Sequence, residues 1–271
     1  MSLKTIDLYG KLFACHDCGT GRVLVFLHGF PFDHTMWNDV TSFLSDQARV
    51  IAPDLKGFGK SDISQTKIVT MEQFAEDVLL LLNKLGIASK VVLCGLSMGG
   101  YIAMQFARKY PERLAGLVLC DTKSVADTET AAMNRRKRSD ELSDHGMASL
   151  ADAMLPNLFG KSPDEQKVND IREIMLRQPL HGVAAADRGM AVRPDMTNLL
   201  ETFEFPCLVV CGEYDKISPP DEMRQIAQHI KNSSFEMISN AGHLSPVEEP
   251  KIFAEAVKNF LANCNENRVN R

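Results

Sequence analysis

An isolated serine is a poor nucleophile at neutral pH, so a serine that does chemistry must be found together with the groups that activate it. Gly95-Leu96-Ser97-Met98-Gly99-Gly100 sets one serine between glycines, after the apolar run 91–94 and before a helical stretch that starts at residue 98. Gly-x-Ser-x-Gly between a strand and a helix is the pattern of a nucleophile elbow, a strained turn that projects the hydroxyl. A side chain two residues before or after such a serine would collide with neighbouring backbone, which is why glycine stands at both places. A base is required next. His243 lies in Asn240-Ala241-Gly242-His243-Leu244-Ser245-Pro246, directly after the strand-like run 235–238, and a neutral imidazole there can take a proton near pH 7. The carboxylate that would orient it has three candidates at strand ends. Asp215 follows the run 208–211 and precedes Pro219-Pro220; Asp121 follows 117–120; Glu213 comes earlier in the same turn as Asp215. Asp215 is favoured, as the acceptor for the histidine Nδ1–H, and the chain order Ser97, Asp215, His243 is the order that accompanies this kind of elbow.

Acyl transfer also needs donors for a developing oxyanion. The run 23–27 leads into His28-Gly29-Phe30-Pro31. Pro31 has no N–H, which leaves the Phe30 N–H as the donor from that loop, with the Met98 N–H at the start of the next helix as the second. His28, wedged between a strand and a glycine, reads as a brace for the turn.

The elements that must hold these residues follow from periodicity. Apolar runs at 23–27, 50–52, 91–94, 117–120, 208–211 and 235–238 are apolar on both faces, as strands buried in a parallel sheet are. Between them, Met71, Phe74, Ala75, Val78, Leu79, Leu82 and Leu85 recur at helical spacing, with Thr70 and Gln73 as a capping box and Gly86 as the stop. Helices are also predicted from residue 98 to 110 and over 250–261. The alternation gives an α/β fold with a mostly parallel central sheet flanked by helices. From about residue 127 to 194 no strand-like run appears, which predicts a helical insertion lying over the strand ends as a cap. The basic run Arg135-Arg136-Lys137-Arg138, followed by Asp140, Glu141 and Asp144, reads as a solvated helix face with local ion pairs. Residues beyond 263 read as a frayed tail.

Bulk properties exclude several classes. The chain has 271 residues, 45% hydrophobic and 24% charged, with a net charge of −5, an ordinary globular composition that disfavours a nucleic-acid surface. No apolar stretch reaches the roughly 20 residues of a membrane span, and Met-Ser-Leu-Lys-Thr has no signal-like core, so a cytoplasmic protein is expected. Of seven cysteines, Cys94, Cys120, Cys207 and Cys211 read as core residues. Cys15 and Cys18 have CxxC spacing with no second pair, and read as thiols of an early hairpin rather than a metal or redox site. No metal and no cofactor is expected.

Together, His28-Gly29-Phe30-Pro31, Pro53-Asp54-Leu55-Lys56-Gly57-Phe58-Gly59-Lys60-Ser61, the elbow, Gly212-Glu213-Tyr214-Asp215 and Gly242-His243 resemble the α/β-hydrolase superfamily over nearly the whole chain. The Ser-Met-Gly-Gly elbow and Cys120-Asp121-Thr122 resemble bacterial carboxylesterases near the enol-lactone hydrolases and cofactor-free haloperoxidases. Lys56 departs from the pattern, where arginine is more usual. The resemblance implies an α/β-hydrolase core of residues 1–122 and 197–271 with a helical cap over 123–196, Ser97 as nucleophile, His243 as base, Asp215 as acid, and the Phe30 and Met98 amides as oxyanion hole. The expected activity is hydrolysis of small carboxylic esters by a monomer or homodimer, with Phe32, Met154, Leu155, Leu158, Phe159 and Met190 in an apolar pocket wall that suits small apolar groups. Lactone or carbon–carbon bond hydrolysis, perhydrolase chemistry and a non-catalytic small-ligand receptor are the alternatives.

Overall fold

The central strands are apolar on both faces because each face meets its own helical layer. The computed structural model describes residues 3–8, 10–63 and 66–266. Its strands are β1 (Leu3–Asp7), β2 (Leu12–Cys18), β3 (Arg22–Leu27), β4 (Ala48–Pro53), β5 (Val91–Leu96), β6 (Leu114–Cys120), β7 (Cys207–Gly212) and β8 (Ser233–Ile238). They form one sheet in the order β1-β2-β4-β3-β5-β6-β7-β8. The first two ladders are antiparallel and all those from β4 to β8 are parallel.

The helices are α1 (Asn38–Leu44), α2 (Met71–Lys84), α3 (Met98–Lys109), α4 (Glu129–Met154), α5 (Glu165–Leu176), α6 (Leu180–Met190), α7 (Thr197–Leu200), α8 (Pro220–His229), α9 (Ser245–Glu248) and α10 (Pro250–Glu266). Side chains alternate along β3: Val23, Val25 and Leu27 pack into the core cluster that holds Phe74 and Val78 of α2 and Ile102 and Phe106 of α3. Leu24 and Phe26 pack into the opposite cluster with Val40 and Leu44 of α1 and Phe253 and Val257 of α10. Trp37 stacks on Phe26 with ring centroids 4.4 Å apart. Helix α2 carries the capping box of Thr70 and Gln73, and Gly86 follows it at φ 69°. Between β6 and β7 the chain is helical, as the sequence predicts, and α4 is interrupted at Gly146 (φ 71°, ψ 174°).

Two expectations change, those for the run 235–238 and for the tail. The run 235–238 lies in β8, the edge strand of the sheet, where Glu236 and Met237 are exposed on opposite faces and Phe235 is only half-buried. Cys15 and Cys18 stand three residues apart on β2, so they point to opposite faces and share no site; burial, then the charge of Asp17, pushes the Cys15 thiol up to about 12. The tail expected to fray beyond residue 263 stays helical to Glu266, and residues 267–271 lie outside the described residues.

Parallel pairing brings the carboxyl ends of β3, β5, β6, β7 and β8 to one edge of the sheet, and the glycines allow α3 to start close beneath it. A Cβ on Gly95 would lie 2.2 Å from the Gly99 carbonyl oxygen, and one on Gly99 would lie 2.2 Å from that of Leu27. Backbone, not a movable side chain, blocks both positions. Gly99→Ala is therefore expected to cost roughly 3 kcal/mol of stability, read as a lowered urea midpoint at unchanged slope.

Candidate active site

Ser97 is the residue between β5 and α3, and its backbone sits at φ 52°, ψ −111°. A side chain there is strained by about 1–3 kcal/mol, so the surroundings must enforce the conformation. The Ser97 N–H donates to the Cys120 carbonyl at 2.9 Å, and the Thr122 hydroxyl donates to the Ser97 carbonyl at 2.7 Å. The end of β6 thus holds the turn from one side while Gly99 presses against β3 on the other.

The loops after β7 and β8 bring Asp215 and His243 to this turn. His243 Nε2 is 2.9 Å from Ser97 Oγ, and its Nδ1 is 2.9 Å from Asp215 Oδ2. An ionised carboxylate only accepts, so Nδ1 carries the proton and Nε2 is left to accept from the serine hydroxyl. Asp215 is buried and fully engaged: Oδ1 accepts from the Ile217 and Ser218 N–H groups at 2.8 and 3.0 Å, and Oδ2 also accepts from the Ser218 hydroxyl at 2.6 Å. Burial alone would raise its pKa, but His243 beside it and the Ser218 hydrogen bonds hold the carboxyl below the usual carboxylate range.

The competing carboxylates have other partners. Asp121 accepts from the Gly212 N–H at 2.8 Å and from the Ser245 hydroxyl, tying the loop after β7 to the segment after His243. Burial and then the charge of Asp215 push the Asp121 carboxyl well up. Glu213 accepts from the Asn240 N–H at 3.1 Å. Glu248, which sequence reasoning missed, accepts from the Gly242 N–H and the Gly160 N–H, both at 2.7 Å, and so fixes the histidine loop against the chain after α4. Its position five residues beyond His243 on a short helix was the only signal available.

His28 is the brace expected of it. Its Nδ1 lies 2.9 Å from the Gly29 carbonyl and its Nε2 accepts from the Leu55 N–H at 3.0 Å. Neither the Phe30 N–H nor the Met98 N–H has a protein acceptor among the described residues. Asp33, His34 and Asp54 bring ligand-type atoms within 4.8 Å of one another, as do Asp121, Cys211 and Asp215. The first group is spent on loop bracing: Asp54 binds His34 Nδ1 at 2.6 Å, and Asp33 takes Arg177 and Gln178.

A cavity of about 410 Å³ opens over Ser97 and His243. Of the expected wall, Met154, Leu158 and Met190 line it, joined by Phe30, whereas Phe32, Leu155 and Phe159 do not. Those three pack into the core cluster behind α1 and α10 instead. The wall is also less apolar than expected, since Tyr101, Asn134, Arg135, Arg138, Asn157 and Lys216 contribute to it. The basic run is a solvated face only in part: Arg136 and Lys137 are exposed, with Lys137 3.8 Å from Glu141, whereas Arg135 and Arg138 turn inward to Asp187 of α6 at 3.1 and 2.6 Å. A larger hollow, about 900 Å³, lies at the amino ends of β5 to β7 and has no histidine in its lining.

Residues 22–250 match the family of the alpha/beta hydrolase fold. The chain belongs to that family. Among solved structures, this α/β-hydrolase is similar to a thermophilic esterase from Thermogutta terrifontis with malate bound, at 42% identity and a TM-score of 0.94 over 97% of this chain and 99% of that one. It is similar also to the enol-lactonase from Burkholderia xenovorans LB400, at 26% identity and a TM-score of 0.88, covering 96% and 100%. A curated relative, 3-oxoadipate enol-lactonase 1 of Acinetobacter baylyi, is 28% identical over 96% of this α/β-hydrolase and 97% of its own length. No helix among the described residues is long and apolar enough to cross a membrane.

Because the folded pKa of Asp215 is depressed, its contribution to stability is complete above the ordinary carboxylate value and lost as pH falls through the lower folded one. Urea unfolding between about pH 5 and pH 2 should therefore show a smaller loss of stability for Asp215→Asn than for the wild type.

Proposed function

We propose that the chain hydrolyses small carboxylic esters through an acyl-enzyme on Ser97. The observation that carries this reading is the unbroken hydrogen-bonded series Ser97–His243–Asp215, each link 2.9 Å, with its serine end at the cavity. Ser97 Oγ attacks the ester carbonyl as His243 Nε2 takes its proton, and Asp215 stabilises the imidazolium that forms. The negative charge that builds on the carbonyl oxygen is met by the N–H groups of Phe30 and Met98, the latter at the positive end of α3. Each such donor is worth ~3–4 kcal/mol in the transition state. The tetrahedral intermediate collapses as His243 protonates the departing alcohol. Water then enters, gives its proton to His243 and releases the acid, restoring Ser97.

In this reading the helical residues 123–196 act as a cap over a core of residues 1–122 and 197–271, and the substrate sits between them. Met154, Leu158 and Met190 from that segment and Phe30 from the core flank the same cavity, which supports the division. A volume of about 410 Å³ suits a short ester rather than a long acyl chain. The likeness to enol-lactonases over nearly full length supports lactones, which are cyclic esters, as substrates of the same machinery.

Ser97→Ala is expected to lower kcat/KM for 4-nitrophenyl butyrate by at least about a thousandfold, with the thermal unfolding midpoint kept near that of the wild type. Wild-type-like turnover in that variant would end the proposal. Labelling of Ser97 by a fluorophosphonate with no turnover of any ester or lactone would instead favour a ligand receptor.

A further inference from the structure

The cavity wall has a charge pattern that ester hydrolysis as such does not require. Arg135, Arg138 and Lys216 line it, and no aspartate or glutamate does among the described residues. Behind the two arginines, Asp187 is buried and accepts from Arg138 Nε and Nη2 at 2.8 and 2.6 Å and from Arg135 Nη1 at 3.1 Å. Asp127 accepts from Arg135 Nε at 2.7 Å and pairs with Arg193 Nη1 at 2.7 Å. Three guanidinium groups therefore share two carboxylates, which leaves one positive charge in surplus.

The donors are unevenly used as well. Arg135 Nη2 and Arg138 Nη1 have no protein acceptor among the described residues, although every other donor nitrogen of these two side chains is tied to Asp127 or Asp187. The carboxylates thus fix the forks in place and leave one arm of each unengaged. Arg138 also lies against the oxyanion loop, its guanidinium carbon 5.7 Å from the centre of the Phe30 ring. A half-buried surplus charge with unspent donors is stabilised by an anion, and a guanidinium arm binds a carboxylate through short charge-assisted hydrogen bonds.

We propose that Arg135 and Arg138 form a subsite for a carboxylate carried by the substrate itself, so that the preferred esters are half-esters of short dicarboxylic acids. This rests on the ester-hydrolase reading above and names its substrate class. The single surplus charge matches a monoanion, and Lys216, also in the cavity wall, adds to the attraction. Tyr101, Met190 and Leu158 supply the apolar lining that a short methylene chain between the two carbonyl groups would contact.

The test compares mono-4-nitrophenyl glutarate with 4-nitrophenyl valerate, which differ only in carboxylate against methyl at the far end of the acyl chain. The wild type should prefer the glutarate ester in kcat/KM, and Arg138→Gln should lower the ratio of the two values about tenfold or more. Equal losses on both esters, or an unchanged ratio, would overturn the subsite. Should Arg138→Gln fail to fold, the wild type alone decides the matter. Free glutarate must inhibit valerate ester turnover competitively and more strongly than pentane-1,5-diol does, and equal inhibition by the two would overturn the proposal. Calorimetry of glutarate with Ser97→Ala separates this inference from the one it rests on. Binding without any ester turnover by the wild type leaves the subsite standing and removes the hydrolase. Ser97-dependent turnover of the neutral ester with no glutarate binding does the reverse.

Discussion

Ser97 can hold φ 52° only because the backbone around it has nowhere else to go, and the remainder of the site is arranged about that one strained residue. Strand β5 lies between β3 and β6 in parallel register, so the turn at its end is hydrogen-bonded to the end of β6 through Cys120 and pressed against the end of β3 through Gly99. Relaxing Ser97 would require α3 to lift from the sheet, exposing Ile102, Ala103 and Phe106, all buried. The cost of one unfavourable dihedral pair is thus covered by the packing of a whole helix. The same close approach aims the Met98 N–H and the serine hydroxyl at the same side of the sheet.

Electrostatics at the strand ends divide the labour between two buried carboxylates. Asp215 is surrounded by two N–H groups, a hydroxyl and the imidazole, which favour its ionised form. Asp121 has fewer donors and a neighbouring negative charge, which favour its neutral form. Opposed environments of this kind keep one acid charged beside the histidine and make the other a structural tie. Ser218 adds to this, since its hydroxyl shares Asp215 Oδ2 with His243 and thereby fixes the carboxylate plane against the ring.

The cavity wall is ordered by a third set of charges. Asp187, on α6, turns Arg135 and Arg138 of α4 inward and holds the two helices together over the sheet edge. An apolar lining would have been consistent with the methionines and leucines of this segment, and Met154, Leu158 and Met190 do lie in it. Phe32 and Phe159 are equally apolar, but they pack in the core cluster that holds α1 and α10 and do not line the cavity. Apolar character marks a residue for burial without saying whether it faces a core or a cavity.

What the sequence determined by itself is local. The elbow was legible because its requirement is steric and falls within five residues: glycine before, glycine after, a strand leading in and a helix leading out. The parallel sheet was legible because runs apolar on both faces have few other homes. The edge position of β8 was not, since a strand's neighbours are chosen by the whole sheet. Chain order favoured Asp215 over Asp121 and Glu213 as the partner of His243, but it could not exclude the other two, for all three stand at strand ends. The decision rests on a few ångströms set by loop geometry across 28 residues of separation. The inward turn of Arg135 and Arg138 was hidden for the same reason: nearby Asp140, Glu141 and Asp144 offered local partners, and only the tertiary structure supplied Asp187, 49 residues from Arg138, in a buried place where an ion pair is screened less.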